Sequence, residues 1–337
     1  MLHRPLLALT MVGALSWLLP SASAQSAAAS APMEPREVRS WLMRIHEAAS
    51  RRNFMGTFVV SSGGAVSSAR IAHFCDGSHQ YERIDSLDGQ TRHVYRHDDV
   101  VHTLWPQARV AMVEQRDLLN SFPALLQGGS DHIAEYYEVR GQGSDRVAGH
   151  DAGVLLLKPR DGWRFGYRLW TESASGLLLR ADVLGERGEI LESSAFSDVS
   201  IGVRPQPEAI LQPMRRLDGY RIVRPTLTPT RLEAEGWFQR QSVPGFREVS
   251  CVKRPLDDAG GVGDAPEAVQ TIYSDGLTYV SVFIEPFSPE RHTRPMLTSI
   301  GATQTLMRRQ GDWWITAVGD VPATTLKTFA AGLERRK

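Results

Sequence analysis

The chain has 337 residues, of which 42% are hydrophobic and 23% charged, and its 38 basic and 38 acidic side chains cancel to a formal net charge of zero. That length favours two domains, and a neutral chain is not steered as a whole to nucleic acid or another anionic polymer, so any charge effect must be local. Its two cysteines, Cys75 and Cys251, fall in no CxxC or Cys/His cluster, which leaves a zinc or redox centre without support.

The chain opens as a secretory signal. His3 and Arg4 precede an apolar run from Leu6 to Leu19, Pro20 breaks it, and Ala22-Ser23-Ala24 forms a cleavage site. The run is too short to span a bilayer, which takes roughly 20 residues. Cleavage after Ala24 leaves 313 residues of exported chain, with no later segment apolar enough to cross a membrane. In that compartment the cysteines could form one bridge, but their separation favours two buried free thiols.

An Ala/Ser-rich leader from Gln25 to Pro32 reads as disordered. Pro35 then opens an amphipathic helix, with Val38, Trp41, Leu42, Ile45, Ala48 and Ala49 on one face and Arg39, Arg44, Glu47 and Arg51 opposite. Strands follow at close to ten-residue spacing: Gly56 to Val60, Ala69 to Cys75, Gln80 to Ser86, Thr91 to Arg96, Val100 to Trp105 and Arg109 to Gln115. Asp117 to Gln127 reads as a short helical or irregular insertion. The strands then resume as Ile133 to Gly141, Gly153 to Lys158, Phe165 to Thr171, Leu177 to Leu184 and Glu189 to Phe196. About eleven strands in one meander are too many for a flat layer, so the sheet is expected to curl.

From 204 to 229 the pattern changes. Pro205, Pro207, Pro213, Pro225 and Pro229 interrupt it, and the segment reads as an interdomain linker that hugs the surface. A smaller domain, 230–334, follows the large one at 33–203. Its strands are expected near Trp237, then Arg247 to Val252, Gln270 to Tyr273, Thr278 to Glu285, Gly301 to Arg309 and Trp313 to Val318. Leu256 to Pro266 is a Gly/Asp-rich loop. A closing helix after Pro322 carries the stripe Leu326, Phe329, Ala330 and Leu333. The run Tyr279 to Ile284 is apolar on both faces, as a strand in the middle of a covered sheet would be. The fold class is therefore α+β: a large open antiparallel half-barrel with packed helices, then a smaller antiparallel sheet with a helix.

Catalytic signatures do not emerge. His46-Glu47 lacks the second histidine of a zincin helix, because position 50 is Ser, and there is no G-x-S-x-G elbow, P-loop or G-x-G-x-x-G. His93, His97 and His102 lie close in sequence, and His93 and His97 share a strand face. A metal would want a further ligand, which His73 or Asp98 could bring from neighbouring strands. Histidines on a solvent-facing strand are ordinarily polar surface, so no metal and no cofactor is assigned.

Two other features carry information. Arg215, Arg216, Arg221, Arg224 and Arg231 fall close together against Asp218 alone. Guanidinium forks suit carboxylates and phosphates, so Arg215, Arg216, Arg221 and Arg224 are candidate contacts to an acidic peptide or lipid phosphate, the alternative being a solvated linker. The apolar residues Phe58, Val60, Ile71, Leu104, Trp105, Met112, Leu156, Tyr167, Leu177 and Leu179 are plain core if the sheet closes. If it stays open they line a trough suited to acyl chains.

Several segments, taken in order, resemble the RseB/MucB family of periplasmic regulators. In the first domain these are Asn53-Phe54-Met55-Gly56-Thr57-Phe58-Val59, Arg70-Ile71-Ala72-His73, Leu87-Asp88-Gly89 and Val101 to Pro106. In the second they are Pro244-Gly245-Phe246, Tyr273-Ser274-Asp275-Gly276-Leu277, Ser281-Val282-Phe283 and Val318-Gly319-Asp320-Val321-Pro322. The resemblance implies a large domain similar to the lipoprotein carriers LolA and LolB. It implies a non-enzymatic periplasmic protein that binds the periplasmic region of a membrane-spanning anti-sigma factor, shields it from regulatory proteolysis and is loosened by lipid or lipopolysaccharide. The basic, Pro-rich linker departs from that family pattern. A lipid or lipoprotein carrier is the second reading, though it would not need the second domain, and an enzyme acting on the envelope is the third.

Overall fold

The computed structural model describes residues 31–115, 132–256 and 267–336. The expected signal peptide, the insertion at Asp117 to Gln127 and all of the Gly/Asp-rich loop except its first residue lie outside them.

Helix α1 (Pro35–Arg51) starts where the sequence places it. Pro35 takes the first helical position, and the Glu37 carboxylate accepts the backbone N–H of Glu34, at 3.1 Å, in a capping box. Ahead of it, Pro32 is not free: it bridges to Arg140, and the Met33 N–H donates to the carbonyl of Val139 at 2.8 Å.

The first meander is β1 (Phe54–Ser62), β2 (Ala65–Cys75), β3 (Gln80–Ser86), β4 (His93–His97), β5 (Val100–Trp105) and β6 (Val110–Gln115). The second is β7 (Tyr137–Val147), β8 (His150–Pro159), β9 (Gly166–Glu172), β10 (Leu178–Leu184) and β11 (Ile190–Ile201). Strand β1 pairs with both β2 and β11, so the first and last strands join the two meanders into one sheet with open ends. A bulge between Thr57 and Phe58 marks that seam, and bulges sharpen local twist. Gly56 sits beside it because a Cβ there would lie 2.4 Å from the carbonyl oxygen of Asp198.

The sheet curls around α1. Val38, Leu42, Ile45 and Ala48 share one core with Ile71 from β2 and Val139 from β7, strands far apart in the sheet order. A flat sheet could not bring its β7 edge and its middle strand β2 to one helix.

Two expectations need correction. Ile133 to Tyr136 is a helical turn, α2 (Ile133–Tyr136), not the start of a strand. The turn puts Ile133 and Tyr137, four residues apart, into the same core. The segment 204–229 is more than a linker. It forms α3 (Glu208–Arg215), β12 (Arg221–Val223) and β13 (Thr228–Pro229). Strand β12 runs parallel to β6 and extends the large sheet to twelve strands. Ile210 is fully buried beneath α3 with Phe74, Tyr81, Tyr95 and Leu104, on the sheet face opposite α1. The prolines sit where they do least harm: Pro207 caps α3, Pro213 falls in its last turn and Pro229 lies in a two-residue edge strand.

The smaller sheet has seven strands. Besides β13 these are β15 (Arg247–Pro255), β16 (Glu267–Ser274), β17 (Tyr279–Pro286), β18 (Met296–Ile300), β19 (Thr303–Gln310) and β20 (Trp313–Gly319). Strands β14 (Trp237–Gln239) and β21 (Leu333–Arg335) pair beside it. Helix α4 (Ala323–Gly332) packs Leu326, Phe329 and Ala330 onto one face. On β17, Val280, Val282 and Ile284 are fully buried, whereas Tyr279 on the other face is 38% exposed, so only one face is fully covered. Cys75 and Cys251 are separate thiols on different sheets. Burial, aided by Glu248, pushes the Cys251 thiol up to about 11.

Candidate functional site

The two sheets meet through side chains that interlock. Leu277 and Ala302 of the smaller domain belong to the core of the larger, while Trp163 of the larger packs on the core of the smaller. Arg164 follows Trp163 and is completely buried. It donates to Asp161 Oδ1 at 3.1 Å, to Asp275 Oδ2 at 3.0 Å and to the carbonyl of Pro244. Its guanidinium lies 4.5 Å from the centre of the Tyr136 ring and 5.2 Å from that of Phe246. Asp275 in turn accepts from the N–H groups of Leu277 and Thr278, at 3.0 and 2.9 Å, and from the Tyr137 hydroxyl at 3.3 Å. Burial pushes this carboxyl up, and those donors oppose the push. Gly245 completes the junction: its φ is +84°, and a Cβ there would lie 2.9 Å from both Arg164 and Tyr136.

Next to this junction a cavity of about 440 Å³ opens between the inner face of the large sheet and the β16–β17 turn. Phe58, Val60, Ile84, Tyr167, Ala181, Val183 and Leu277 give it apolar walls, with Arg92 and Asp88 also on its lining. Its volume falls within the range of ligand pockets, about 300–1,000 Å³. Two carboxyls, Glu192 and Asp320, also line it. Burial pushes both up. The Thr303 hydroxyl opposes this at Asp320, at 2.6 Å, and the Ser62 hydroxyl opposes it at Glu192, at 2.9 Å, where Asp320 adds to the upward push. The apolar walls suit an apolar chain inside, and burial disfavours the charged forms of Glu192 and Asp320.

Of the candidate trough residues, Phe58, Val60 and Tyr167 line this cavity. Ile71 and Leu179 are sealed in the core around α1. Trp105 and Met112 share the inner face with Ile71 by register but do not line the cavity. Leu104 and Leu156 are corrected: strand alternation turns both to the outer face. Leu104 is buried beneath α3, and Leu156 stands opposite Arg168. The residues that sequence reasoning missed are Glu192, Asp320, Thr278 and Tyr279. For Asp320 a signal was present, since Val318-Gly319-Asp320 was singled out as a motif, and Thr278 and Tyr279 directly follow the motif Ser274-Asp275-Gly276-Leu277, but nothing in sequence says that a turn closes a distant pocket.

The arginines lie on the outer edge of the large sheet. Arg215 ends α3 and pairs with Glu208 at 3.5 Å, Arg216 follows it, Arg221 opens the edge strand β12 and Arg224 follows that strand, all exposed. The histidines disperse. His93 faces Asp85 at 2.6 Å, and His73 is buried against the Arg52 carbonyl with burial holding its pKa down. Burial, followed by Arg224, does the same to His102.

Comparison with known proteins fits this architecture. The MucB/RseB N-terminal domain profile matches residues 37–214, and the MucB/RseB C-terminal domain profile matches residues 231–334. The sigma factor AlgU regulatory protein MucB of Pseudomonas aeruginosa is 29% identical over 306 residues, 88% of this chain and 90% of the relative. The sigma-E factor regulatory protein RseB of Escherichia coli K12 is 26% identical over 299 residues, 87% of this chain and 89% of the relative. Among solved structures, MucB in complex with MucA(peri) superposes with a TM-score of 0.65 at 25% identity, covering 89% of this chain and 99% of that one. The Pseudomonas aeruginosa MucA/MucB complex gives a TM-score of 0.67 at 26% identity, covering the same shares.

Proposed function

The chain belongs to the MucB/RseB family, and from that premise we propose that it is a non-enzymatic sigma factor regulator that binds the periplasmic region of a membrane-spanning anti-sigma factor. The observation that carries this is the match of both family domains, in order, on a chain whose domains interlock through Arg164 and Asp275. Its relatives are named as sigma factor regulatory proteins, and a similar structure is that of MucB with MucA(peri). The periplasm is the compartment, as the signal-like leader and the family imply. No helix among the described residues is long and apolar enough to cross a membrane.

Bound there, the protein shields the anti-sigma factor from its first regulatory protease. The exposed arginines on α3 and β12 supply contacts to carboxylates of the partner. Deleting the gene should raise the rate at which the anti-sigma factor is cleaved under mild envelope stress; an unchanged rate would sink the shielding role.

The cavity gives this regulator a lipid sensor. Acyl chains of a lipid or lipopolysaccharide fragment enter between Phe58, Val60 and Tyr167. Occupancy of a cavity at the domain junction would shift the grip on the partner through the turn that carries Leu277 to Tyr279. A carrier reading lacks a comparable observation, because the second domain forms one wall of this cavity.

A further inference from the structure

On the outer face of the large sheet, three side chains that the regulatory reading does not use turn toward one point. The turn from Asp76 to His79 joins β2 to β3, and the turn at Asp98 and Asp99 joins β4 to β5. The pairing of β3 with β4 sets the two turns side by side at one end of the sheet. Tyr81 pairs with His97, and His79 lies two residues before Tyr81, so the three rings share a face. One donor atom from each of His79, His97 and Asp98 falls within 4.8 Å of the other two. His79 Nδ1 is 2.7 Å from Asp98 Oδ2, and His97 Nε2 is 3.5 Å from the same oxygen.

The arrangement is held from behind. Asp98 has a φ of +53°, a left-handed turn conformation that Asp tolerates, and its other carboxylate oxygen accepts the Gln80 N–H at 2.9 Å. The backbone N–H of His79 is fixed by Asp76 Oδ1 at 2.9 Å. The His97 ring stacks on Tyr81 at 4.9 Å with the planes 4° apart, and the Tyr81 hydroxyl donates to Asp76 Oδ2 at 3.1 Å.

One atom in this cluster is unaccounted for. Among the described residues, His97 Nε2 is buried without a hydrogen-bond partner, although it lies 3.5 Å from a carboxylate oxygen. A buried polar nitrogen left unsatisfied needs an explanation. A cation held between the three donors supplies one. Four-coordinate zinc binds nitrogen and oxygen at about 2.0–2.2 Å, which puts tetrahedral donors roughly 3.3 Å apart. The His97–Asp98 separation already fits. The His79–Asp98 pair must open by about half an ångström, which an exposed imidazole can do once a metal replaces the shared proton.

We infer that His79, His97 and Asp98 form a binding site for a zinc-class divalent cation. Two imidazoles and one carboxylate suit Zn²⁺, Co²⁺ or Cu²⁺, whereas Mg²⁺ and Ca²⁺ take oxygen sets. The partly exposed site leaves the remaining position to water. The ion would staple two turns beside α3, whose Ile210 shares a core with Tyr81.

The test titrates untagged, chelator-stripped full-length protein with Zn²⁺ against a chromophoric chelator, with Co²⁺ absorption as a second probe and Mg²⁺ as a control. The wild type is expected to take up one equivalent of Zn²⁺ and to melt at a higher temperature with it. His97→Ala and His79→Ala should lose that equivalent, and Asp98→Asn should weaken it by about tenfold or more. His132→Ala, whose ring pairs with Glu135 away from this cluster, should leave uptake intact. If His97→Ala does not fold, His79→Ala carries the test alone, because that ring is largely exposed. Failure of the wild type to bind Zn²⁺, a full equivalent retained by His79→Ala, or an equal response to Mg²⁺ overturns the assignment.

Discussion

Arg164 joins the two domains through Asp275 and the Pro244 carbonyl. A charge with no exposed side-chain surface is tolerated because Asp161 and Asp275 oppose it and, with the Pro244 carbonyl, accept from all three of its nitrogens. Removing one partner of such a pair leaves the other buried and uncompensated. Arg164→Ala is expected to cost about 3–5 kcal/mol in urea unfolding. The double variant with Asp275→Asn should cost less than the two single changes added, and simple additivity would show that the pair is not coupled. Asp320 makes the opposite case. Its pKa is raised by burial, with Glu192 and Tyr167 facing the same cavity and the Thr303 hydroxyl opposing. A carboxyl raised in the fold contributes stability that is complete below its ordinary value of 3.8 and is lost as the pH climbs through its folded value. Asp320→Asn keeps an acceptor for Thr303 without a charge. It should therefore stabilise the protein at neutral pH, with the gain shrinking as the pH falls toward 4. A gain that is constant across pH, measured by thermal melts, would contradict a buried, reluctantly ionised Asp320.

At the scale of elements, the same trough list separates into residues with opposite fates. Val60 lines the cavity from a half-buried position, while Leu104 is 5% exposed in the core under α3. Val60→Arg should leave the fold intact and weaken binding of a fluorescent lysolipid. Leu104→Arg should destabilise or unfold the protein, because it buries a charge with no partner. Equal lysolipid binding by folded Val60→Arg would remove the acyl chain from this cavity. The strands were legible because their period and turns are local: Gln80 to Ser86 and Val100 to Trp105 coincide with β3 and β5. Helix α1 was legible from its stripe and its proline. Strand β12 and helix α3 were not, because the three-residue edge strand owes its form to pairing with β6 and the proline-bearing helix to Phe74, Tyr81 and Leu104 beneath it, rather than to their own sequence. The face on which Leu104 lies was not legible either, since Leu104 and Trp105 are adjacent and apolar, and only register decides which one turns inward. The histidines show the same limit. The sequence draws His93, His97 and His102 together, whereas the sheet joins His97 to Asp98 and to His79 across the turns.

For the whole molecule, the consequence of the interlocked junction is that the two sheets act as one body. The domains exchange core residues, and the Thr325 hydroxyl donates to the Trp163 carbonyl across the same boundary at 2.8 Å. A partner that spans both domains thus meets a surface already arranged, and little ordering cost is left for binding. As proposed above, that partner is the periplasmic region of a membrane anti-sigma factor. The most direct measurement is calorimetric titration of the purified chain with that periplasmic segment from the same organism, at low and raised salt. A 1:1 complex with micromolar or tighter affinity, about −8 kcal/mol or stronger, is expected, and it should weaken with salt as arginine contacts are screened. No heat of binding, and no co-elution of the same samples, would contradict it.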